Sequence, residues 1–480
     1  MIASDRKLAV GLFLLTFVTY AWFFGGGGWN QNAHFDLTRA LVERQTFHID
    51  GYRVNSGDIG WSNVSGEWHA YSNKPPGLPF LAAIPYFAMY HLERALHVPL
   101  DSWLWMTINV YVLTLLVVAT SGAGIAVLLF RWARRHSPPS HAVLVALIGA
   151  FGTIVLPYSQ LFFSPVPAAF FLLLAFHVLD ERPVLAGAAA GIAGLCFYIC
   201  IPAAAVLAIA RLVEDRQSCL SRRGQAGSPV LHRAWKFILA GLPFGALLGW
   251  YHTVCFGAPW RTSLETAQNF TERGLFLGLF RNYPTKLALW GLTFSEYRGL
   301  FFVSPVLLLA LFGLWKMRRR DAAIVLAIFA IFLLMVASFN GWEGGSSFGP
   351  RHILPAIPFL VLPLAFVRAR WLLVPFVISV AMNLMATAID ASPPGGIQRP
   401  FRDFYLTKDA VSINQQSVDE LLPNHLYKPG SKESEWASFN LGEFVLGAGN
   451  PWSVLPIALW MLGGSALLVR RLMPHAPPSR

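Results

Sequence analysis

The sequence predicts an all-α polytopic membrane protein of about 12–13 transmembrane helices with a long first exterior loop. Of its 480 residues, 55% are hydrophobic and only 13% are charged, whereas soluble domains carry about 25% charged residues. The mean hydropathy of +0.50 agrees with this class, and apolar stretches recur along the whole chain. The composition excludes a soluble enzyme, a disordered chain and a fibrous protein, and it favours a chain largely surrounded by lipid.

The formal net charge is +12, yet the placement of the basic residues argues against a nucleic-acid partner. Lys and Arg occur in short runs between apolar stretches, as in membrane proteins whose positive loops mark the cytoplasmic side. Solvation alone would not favour one sign of charge in these loops. We therefore expect membrane topology, and no nucleic acid binding, from five runs: Arg131, Arg134 and Arg135; Arg222 and Arg223; Lys316, Arg318, Arg319 and Arg320; Arg368 and Arg370; Arg470 and Arg471.

Thirteen apolar stretches reach or approach the about 20 residues that a helix needs to cross the hydrocarbon. Four polar stretches between them, 25–75, 257–298, 340–351 and 389–452, all lie outside if the basic loops are cytoplasmic. Charge then favours 12 crossings with both ends inside, whereas hydropathy counts 13. Either the proline-flanked stretch 76–92 lies at the outer interface, or the Arg131 loop breaks the charge rule. The apolar stretches are 7–24, 76–92, 104–131, 141–158, 164–180, 184–199, 201–213, 234–256, 299–316, 321–339, 352–368, 370–388 and 453–472.

We expect three parts along the chain. Residues 1–388 form a transmembrane module with exterior loops 25–75, 257–298 and 340–351. Residues 389–452 form an exterior loop or a small cap, and residues 453–480 form the last transmembrane helix and a cytoplasmic tail. No small-residue cleavage site follows the first apolar run, so we expect an uncleaved first span.

The four cysteines indicate neither a disulfide framework nor a metal site. Cys196 and Cys200 lie one helical turn apart in an apolar run, where thiols usually pack as small hydrophobic side chains. No His or carboxylate accompanies them at ligand spacing, and the chain contains no His-Glu-x-x-His, Walker or dinucleotide motif. We expect no cofactor, and dependence on a divalent metal stays open.

The first exterior loop begins with a stretch at helical spacing. Asn30 or Asn32 can cap a helix, after which Leu37, Ala40, Leu41 and Arg44 fall on one stripe, with the charged residues Asp36, Arg39 and Glu43 elsewhere. This pattern predicts an amphipathic helix that lies on the membrane surface. A loop of about 50 residues is long for a connector, and long ordered loops are usually functional.

The rest of this loop contains two more carboxylates and a lysine that two prolines follow. Asp50 and Asp58 follow Asp36 along the loop. The loop closes at Lys74, where Pro75 and Pro76 fix the backbone before the next helix. Lys74 is therefore expected at the mouth of that helix.

Two more cations stand at exterior edges of apolar spans. Arg298 precedes one span, and Arg351 with His352 opens another after the glycine-rich stretch that contains Glu343. Glycines allow a ligand to approach the backbone closely. Such cations can hold a lipid phosphate by charge-assisted hydrogen bonds, or they can snorkel to ordinary phospholipid headgroups.

The order of these motifs resembles the GT-C superfamily of membrane glycosyltransferases, and within it the protein O-mannosyltransferase and lipid A aminoarabinose transferase group. The Tyr-x-x-Lys-Pro-Pro signature of that group reads Tyr71-Ser72-Asn73-Lys74-Pro75-Pro76 here. Arg351-His352-Ile353-Leu354-Pro355-Ala356-Ile357-Pro358 resembles its Arg-Tyr-Leu-Leu-Pro-Ala-x-Pro stretch. Arg298-Gly299-Leu300-Phe301, followed by Ser304-Pro305, resembles a segment of bacterial members. With the number of spans, the resemblance covers most of the chain.

One departure concerns the catalytic base. In the relatives an Asp-Glu pair opens the first exterior helix, and its Asp is the expected base, but here the stretch reads Asn30-Gln31-Asn32. We expect the base to be Asp50 first, since apolar neighbours could raise the pKa of its carboxyl. Asp58 comes second and Asp36 third, because Asp36 could simply pair with Arg39 at i+3.

The resemblance implies a glycosyltransferase that works at the exterior face of the cell inner (plasma) membrane. The donor would be a polyprenyl-phosphate-linked sugar, the acceptor a hydroxyl on a glycan, lipid or protein, and the reaction inverting with a loop carboxylate as base. The expected substrate-binding residues are Tyr71, Lys74, Arg298, Glu343, Arg351 and His352. A lipid or polysaccharide transporter or flippase, or a non-enzymatic envelope assembly protein, stays an alternative, although the spans contain few charges and no repeat.

Overall fold

A computed structural model describes residues 3–221, 232–267, 280–281, 283–393, 395–407, 438–447 and 450–470. Within these ranges most residues are helical and there is almost no sheet, so the predicted all-α class is confirmed. The basic residues Arg222, Arg223 and Arg471 lie outside the described residues.

Every predicted apolar stretch forms helix, several of them in two pieces. Helices α6, α8 and α9 begin with proline at a first-turn position, where its missing N–H costs nothing. A π-helical segment, Thr114–Ala119, joins α4 to α5. The helices of the first half are α1 Ala3–Trp22, α2 Trp29–Arg39, α3 Gly77–Ala95, α4 Trp103–Leu113, α5 Thr120–Ala133, α6 Pro139–Phe151, α7 Val155–Tyr158, α8 Pro165–Val178, α9 Pro183–Cys196, α10 Cys200–Ser221 and α11 His232–Phe256.

The second half contains shorter pieces as well as long helices. Short 3₁₀ segments extend the helices beside them: Pro305–Leu309, Arg351–Ala356, Leu362–Phe366 and Pro451–Val454. The helices are α12 Lys286–Thr293, α13 Leu300–Val303, α14 Ala310–Leu314, α15 Arg319–Ser338, α16 Ile357–Val361, α17 Ala369–Ile389, α18 Glu443–Leu446 and α19 Leu455–Arg470.

Five helical stretches are long and apolar enough to cross a membrane by length and composition: Leu104–Ala133, Arg233–Phe256, Arg319–Ser338, Ala369–Ile389 and Pro451–Val469. Shorter apolar helices of 10–17 residues accompany them. Many large apolar side chains on these helices face outward, Val374 and Leu462 among them, as expected of a surface covered by lipid.

Helix packing in the bundle depends on small residues where backbones approach closely. A Cβ atom on Gly187 of α9 would lie 1.9 Å from the backbone oxygen of Phe237 in α11. Any larger residue there would separate the two helices, which accords with the use of small residues at membrane helix interfaces.

Two short antiparallel sheets complete the fold. Strand β1, Phe23–Phe24, pairs with β4, Phe439–Asn440, so a small part of the 389–452 stretch is fixed to the end of α1. Strands β2, Ile59–Ser62, and β3, His69–Ser72, form a hairpin in the first loop. Ile59 pairs with Ser72 in that hairpin, which brings the residues just outside the two strands together.

Helix α2 forms at the predicted place but is buried in the protein instead of lying on the membrane surface. Its cap is Gly28, not an asparagine, and all its residues from Gln31 to Arg39 are buried. The polar side chains find partners inside: Asp36 accepts a hydrogen bond from Asn55 at 3.1 Å. Because these partners come from other segments, periodicity along the helix could not show that its polar face is covered.

Candidate functional site

The hairpin of the first loop places the carboxylate of Asp58 beside Lys74. Asp58 directly precedes β2 and Lys74 follows β3, and the Nζ of Lys74 lies 2.9 Å from the Oδ2 of Asp58. The backbone N–H of Asn73 donates to the carbonyl of Asp58 at 3.1 Å. The side chains are only 16% and 6% exposed, so this ion pair is largely shielded from water.

Two more groups, from distant parts of the chain, join this pair. His34 comes from α2, and Arg351 opens the turn after the glycine-rich stretch. Burial lowers the pKa of His34 to about 3, and the charges of Lys74 and Arg351 add to the effect, so the imidazole is neutral at physiological pH. Burial also lowers the pKa of Lys74, aided by Arg351 and opposed by Asp58. We call the group of His34, Asp58, Lys74 and Arg351 the anion site.

The anion site contains more positive than negative charge. The single carboxylate of Asp58 pairs with Lys74. Arg351 lies near Asp58, but none of the ion pairs between described residues includes Arg351. The guanidinium of Arg351 packs over the ring of Phe163 at 5.1 Å, and its Nε is buried without a hydrogen-bond partner in the described part of the chain. An unpaired buried donor is costly, so the site is suited to receive an anion.

Arg298 lies near Arg351, but its hydrogen-bonding groups are already engaged. Its Nε donates to the carbonyl of Glu343 at 2.9 Å, its Nη1 to the carbonyl of Tyr297 at 2.9 Å, and its Nη2 to the carbonyl of Gly345 at 2.7 Å. The residue is fully buried. Arg298 therefore holds residues 341–350, here called the glycine loop, in place, and the loop in turn carries Arg351.

The glycine loop bends back tightly beside Arg351. Gly344 and Gly345 have φ values of 75° and 63°, which glycine adopts without strain. A Cβ atom on Gly344 would lie 2.9 Å from the Nε of Arg351. The hydroxyl of Tyr158 fixes the far end of the loop through both its bonds to the backbone of Phe348, at 3.0 and 3.1 Å.

The other expected substrate-binding residues are spread around this centre. The ring of His352 stacks near Phe197 at 6.3 Å. Glu343 contributes its backbone carbonyl to Arg298. Tyr71 is buried in a small apolar cluster that joins the first loop to α11, with its ring 5.5 Å from Phe256.

Asp50, the first-ranked base, is placed among histidines and not in the anion site. Its Oδ2 lies 2.6 Å from the Nδ1 of His69 and 3.1 Å from the Nδ1 of His48, and its Oδ1 accepts from the N–H of Ala70 at 2.7 Å. Partial burial alone would raise the pKa of Asp50, but these bonds and charges outweigh it and lower the pKa. The expected direction was therefore wrong, because His69 lies 19 residues away in sequence.

Asp36, the third-ranked base, is fully buried. Burial raises the pKa of its carboxyl well above the usual range, although the hydrogen bond from Asn55 opposes this. The expected pairing with Arg39 is not the main contact, since Arg39 instead bonds Glu43 at 2.7 Å and Asp101 at 2.6 Å. Asp58 is thus the expected base that the fold places beside Lys74 and Arg351.

Sequence reasoning missed His34 and Asn73. His34 lies one helical turn after Asn30, the position where the relatives carry the acidic residue, and that spacing could have pointed to it. Asn73 lies inside the lysine signature and is 1% exposed, with its Nδ2 3.4 Å from Asp58. Its alignment with Asp58 depends on the hairpin register, which short strands do not reveal.

Metal-ligating side chains also group together in the first loop. Among the residues that the structure describes, one cluster could hold a metal ion: His48, Asp50 and His69, whose ligand atoms lie within 4.8 Å of one another.

No model of a known protein family and no curated protein matches the sequence. The structure is similar to the crystal structure of ArnT from Cupriavidus metallidurans bound to undecaprenyl phosphate, at 15% identity and a TM-score of 0.47, over 98% of this chain and 73% of that one. It is also similar to the oligosaccharyltransferase AglB from Archaeoglobus fulgidus in complex with an inhibitory peptide and a dolichol-phosphate, at 13% identity and a TM-score of 0.42, over 98% of this chain and 68% of that one.

The apo form of the Archaeoglobus fulgidus enzyme matches at 14% identity and a TM-score of 0.41, over 89% of this chain. The chain spans 61% of the length of that structure.

Proposed function

We propose that this protein is a membrane glycosyltransferase that moves a sugar from a polyprenyl-phosphate donor to a hydroxyl acceptor at the exterior face of the cell inner membrane. The anion site carries the proposal: two largely shielded cations, Lys74 and Arg351, lie near the single carboxylate of Asp58, which forms its ion pair with Lys74. The Nε of Arg351 is buried without a partner among the described residues. A phosphate would supply both the missing negative charge and the missing acceptor.

The surroundings of the anion site favour a phosphate that is attached to a lipid. Helix α3 begins three residues after Lys74, and several of its apolar side chains face outward, with Ile84 74% and Phe87 57% exposed. A prenyl chain can lie against such a surface while its phosphate reaches Lys74. A soluble nucleotide sugar would have no use for this apolar flank.

The chemistry would be a single displacement with inversion at the sugar. The carboxylate of Asp58 takes the proton of the acceptor hydroxyl while the hydroxyl oxygen forms a bond to the anomeric carbon. The bond from that carbon to the phosphate oxygen breaks, and its electron pair leaves with the polyprenyl phosphate. Lys74 and Arg351 stabilise the charge that develops on the phosphate.

Binding of undecaprenyl phosphate to the purified full-length protein tests the donor site. Lys74→Ala and Arg351→Ala should each weaken binding and lower turnover by two to three orders of magnitude, the equivalent of about 2–4 kcal/mol of charge stabilisation. Lys286→Ala is the matched control, because Lys286 is exposed on the 257–298 stretch that we predict on the same face. Near-normal binding and turnover in both Ala variants would exclude the anion site as the donor site.

Mass spectrometry of surface glycans and glycolipids in a deletion strain tests the transfer reaction. A transferase predicts that one sugar is missing from one glycan, lipid or protein while its lipid-linked donor accumulates. Loss of the donor from the exterior leaflet would instead indicate a transporter or flippase.

A further inference from the structure

We propose that His48, Asp50 and His69 bind a divalent transition-metal ion, separate from the anion site. His48 and Asp50 belong to the segment that follows the π-helical extension of α2, Ala40–Arg44, and His69 is the first residue of β3. The structure brings these residues together across 19 to 21 positions of sequence. The proposal does not depend on the proposed transferase activity.

The distances fit ligands that share an ion. The Oδ2 of Asp50 lies 2.6 Å from the Nδ1 of His69 and 3.1 Å from the Nδ1 of His48. Ligand atoms that each lie about 2.0–2.2 Å from a tetrahedral zinc ion are roughly 3.3–3.6 Å apart, so an ion would require these atoms to separate by about 1 Å or less. The Nδ1 of His48 is buried and makes no hydrogen bond within the described residues, although Asp50 is so near, so the ring nitrogen is not simply a donor to the carboxylate.

Backbone contacts hold the three side chains ready. The N–H of Ala70 donates to the Oδ1 of Asp50 at 2.7 Å, and the N–H of Ile49 donates to the carbonyl of Ala70 at 2.7 Å. The rings of His48 and His69 stack with centroids 4.5 Å apart and planes 25° apart. Outer-shell bonds of this kind orient the ligands of known metal sites.

The exposure and the donor set indicate the class of ion. The side chains of His48, Asp50 and His69 are 34%, 30% and 21% exposed, so an ion can enter and keep water in its remaining positions. Two imidazoles and one carboxylate suit Zn²⁺ and its neighbours better than Mg²⁺ or Ca²⁺, which prefer oxygen ligands.

Within the first loop, an ion at this site would link the segment around Asp50 to the hairpin. It would join the segment around Asp50 to the first residue of β3, and the last residue of β3 lies two positions before Lys74. The metal would then stabilise the hairpin register that brings Lys74 to Asp58, without contact to either residue.

The test is metal content of the full-length protein in detergent, with a tag that contains no histidine. After treatment with a chelator, reloading with Zn²⁺ should give about one ion per chain, and Co²⁺ should give the visible absorption bands of a nitrogen- and oxygen-ligated site. His48→Ala and His69→Ala should lower Zn²⁺ affinity by roughly 100-fold or more, since even the loss of an outer-shell partner costs about 10–100-fold. His91→Ala, which removes an exposed histidine of α3, should leave both the Zn²⁺ content and the Zn²⁺ affinity unchanged.

Asp50→Asn is the variant least prone to misfold, because it keeps the size of the side chain and its amide oxygen can still accept the hydrogen bond from the N–H of Ala70. This variant should fold with the far-UV spectrum of the parent and bind Zn²⁺ more weakly. Less than one tenth of an ion in the reloaded parent, or equal binding by the parent and all three variants, would overturn the proposal. Both readouts are taken without donor or acceptor, so the failure of the transferase proposal would leave them unaffected.

Discussion

The contact between Asp58 and Lys74 makes Asp58 the carboxylate best placed to act as base. We expect Asp58→Asn to reduce turnover by about 10²–10⁴-fold, the usual contribution of a positioned base. Binding of undecaprenyl phosphate should be retained or tightened, because the variant no longer competes with the phosphate for Lys74. Isothermal titration and transfer assays measure the two effects separately.

Asp36→Asn and Asp50→Asn serve as comparisons, because both keep the shape of a carboxylate that lies outside the anion site. Each should retain most of the donor affinity. If all three Asp→Asn variants transfer sugar at the normal rate, the base is not in the first loop and the displacement mechanism described above is wrong.

The buried position of Lys74 predicts how donor binding depends on pH. Lysine is charged below its pKa, and burial lowers the pKa of Lys74 from its ordinary value. The phosphate is already fully ionised above about pH 7, so affinity should fall as the pH rises through the lowered pKa. This fall should come before the about pH 10.4 expected of an exposed lysine.

Lys74→Arg provides the measurement that isolates this group. Arginine keeps its charge across the whole range, so the affinity of the variant for undecaprenyl phosphate should stay level where that of the parent falls. Identical pH profiles for the two proteins would show that Lys74 does not titrate in the donor site.

At this scale the sequence identifies residues better than it identifies their partners. Lys74 could be predicted because two prolines follow it directly. The sequence favours Asp50 over Asp58 as the base, because Phe47, Ile49 and Gly51 are the residues close to Asp50 along the chain. The decisive neighbour of Asp58 is Lys74, which hairpin pairing brings close across 16 residues. The decisive neighbour of Asp50 is His69, 19 residues away, because residues 49 and 50 bond to the backbone of β3.

The glycine loop is the element that positions Arg351, and Arg298 holds it. Arg298→Ala should release three carbonyls from a charged donor, and each hydrogen bond to a charged group contributes about 1.5–3 kcal/mol. Hydrogen exchange should therefore accelerate in residues 341–350, and donor affinity should fall as a consequence. Arg402→Ala, which removes an exposed arginine, is the control.

The exchange measurement distinguishes a positioning role from direct contact. If donor affinity falls while exchange in the glycine loop stays unchanged, Arg298 contacts the phosphate itself. If both stay unchanged, the loop does not depend on Arg298.

A second element, the end of α10, depends on a buried ion pair. The Nη2 of Arg211 lies 2.6 Å from the Oδ1 of Asp215, with side chains 7% and 2% exposed. The Oδ2 of Asp215 accepts from the N–H of Ala234 in the first turn of α11 at 3.0 Å. Arg211→Ala leaves a buried carboxylate unpaired, which should destabilise the protein by about 3–5 kcal/mol.

Thermal unfolding in detergent measures this effect as a lower midpoint. Arg319→Ala, at an exposed position of α15, should leave the midpoint nearly unchanged, because surface substitutions change the free energy of unfolding by only about 0.5 kcal/mol. An equal midpoint for Arg211→Ala and the parent would mean that water reaches Asp215.

Elements were predicted well where a single property determines them. Apolar length alone located the long helical stretches of the bundle, whereas the short helix α12, Lys286–Thr293, lies in a stretch that we predicted as an exterior loop. The burial of α2 could not be predicted, because its polar face is covered by Asn55 and Asp101 from other segments. The cap or loop at 389–452 stays a prediction, since much of it lies beyond the described residues.

For the molecule as a whole, α3 decides between 12 and 13 crossings. The hydroxyl of Tyr86, in the middle of α3, donates to Glu43 at 2.7 Å, and Asp101, beyond its end, lies 2.6 Å from Arg39. Both partners belong to the first loop. A crossing helix of 19 residues would carry the chain about 28 Å away from that loop. We therefore expect α3 to lie along the membrane interface, which leaves 12 crossings with both ends of the chain inside.

Single cysteines at three exposed positions test this topology in a variant without the four native cysteines. Ser346→Cys in the glycine loop and Asp101→Cys after α3 should react with a membrane-impermeant maleimide added from outside to intact cells, because twelve crossings place both outside. Arg319→Cys, in a basic loop that the charge rule places in the cytoplasm, should react only after the membrane is opened. If residue 101 is shielded together with residue 319 while residue 346 reacts, α3 crosses the bilayer, the count is 13 and the Arg131 loop breaks the charge rule. If residues 346 and 319 react equally from outside, the proposed exterior location of the anion site loses its basis.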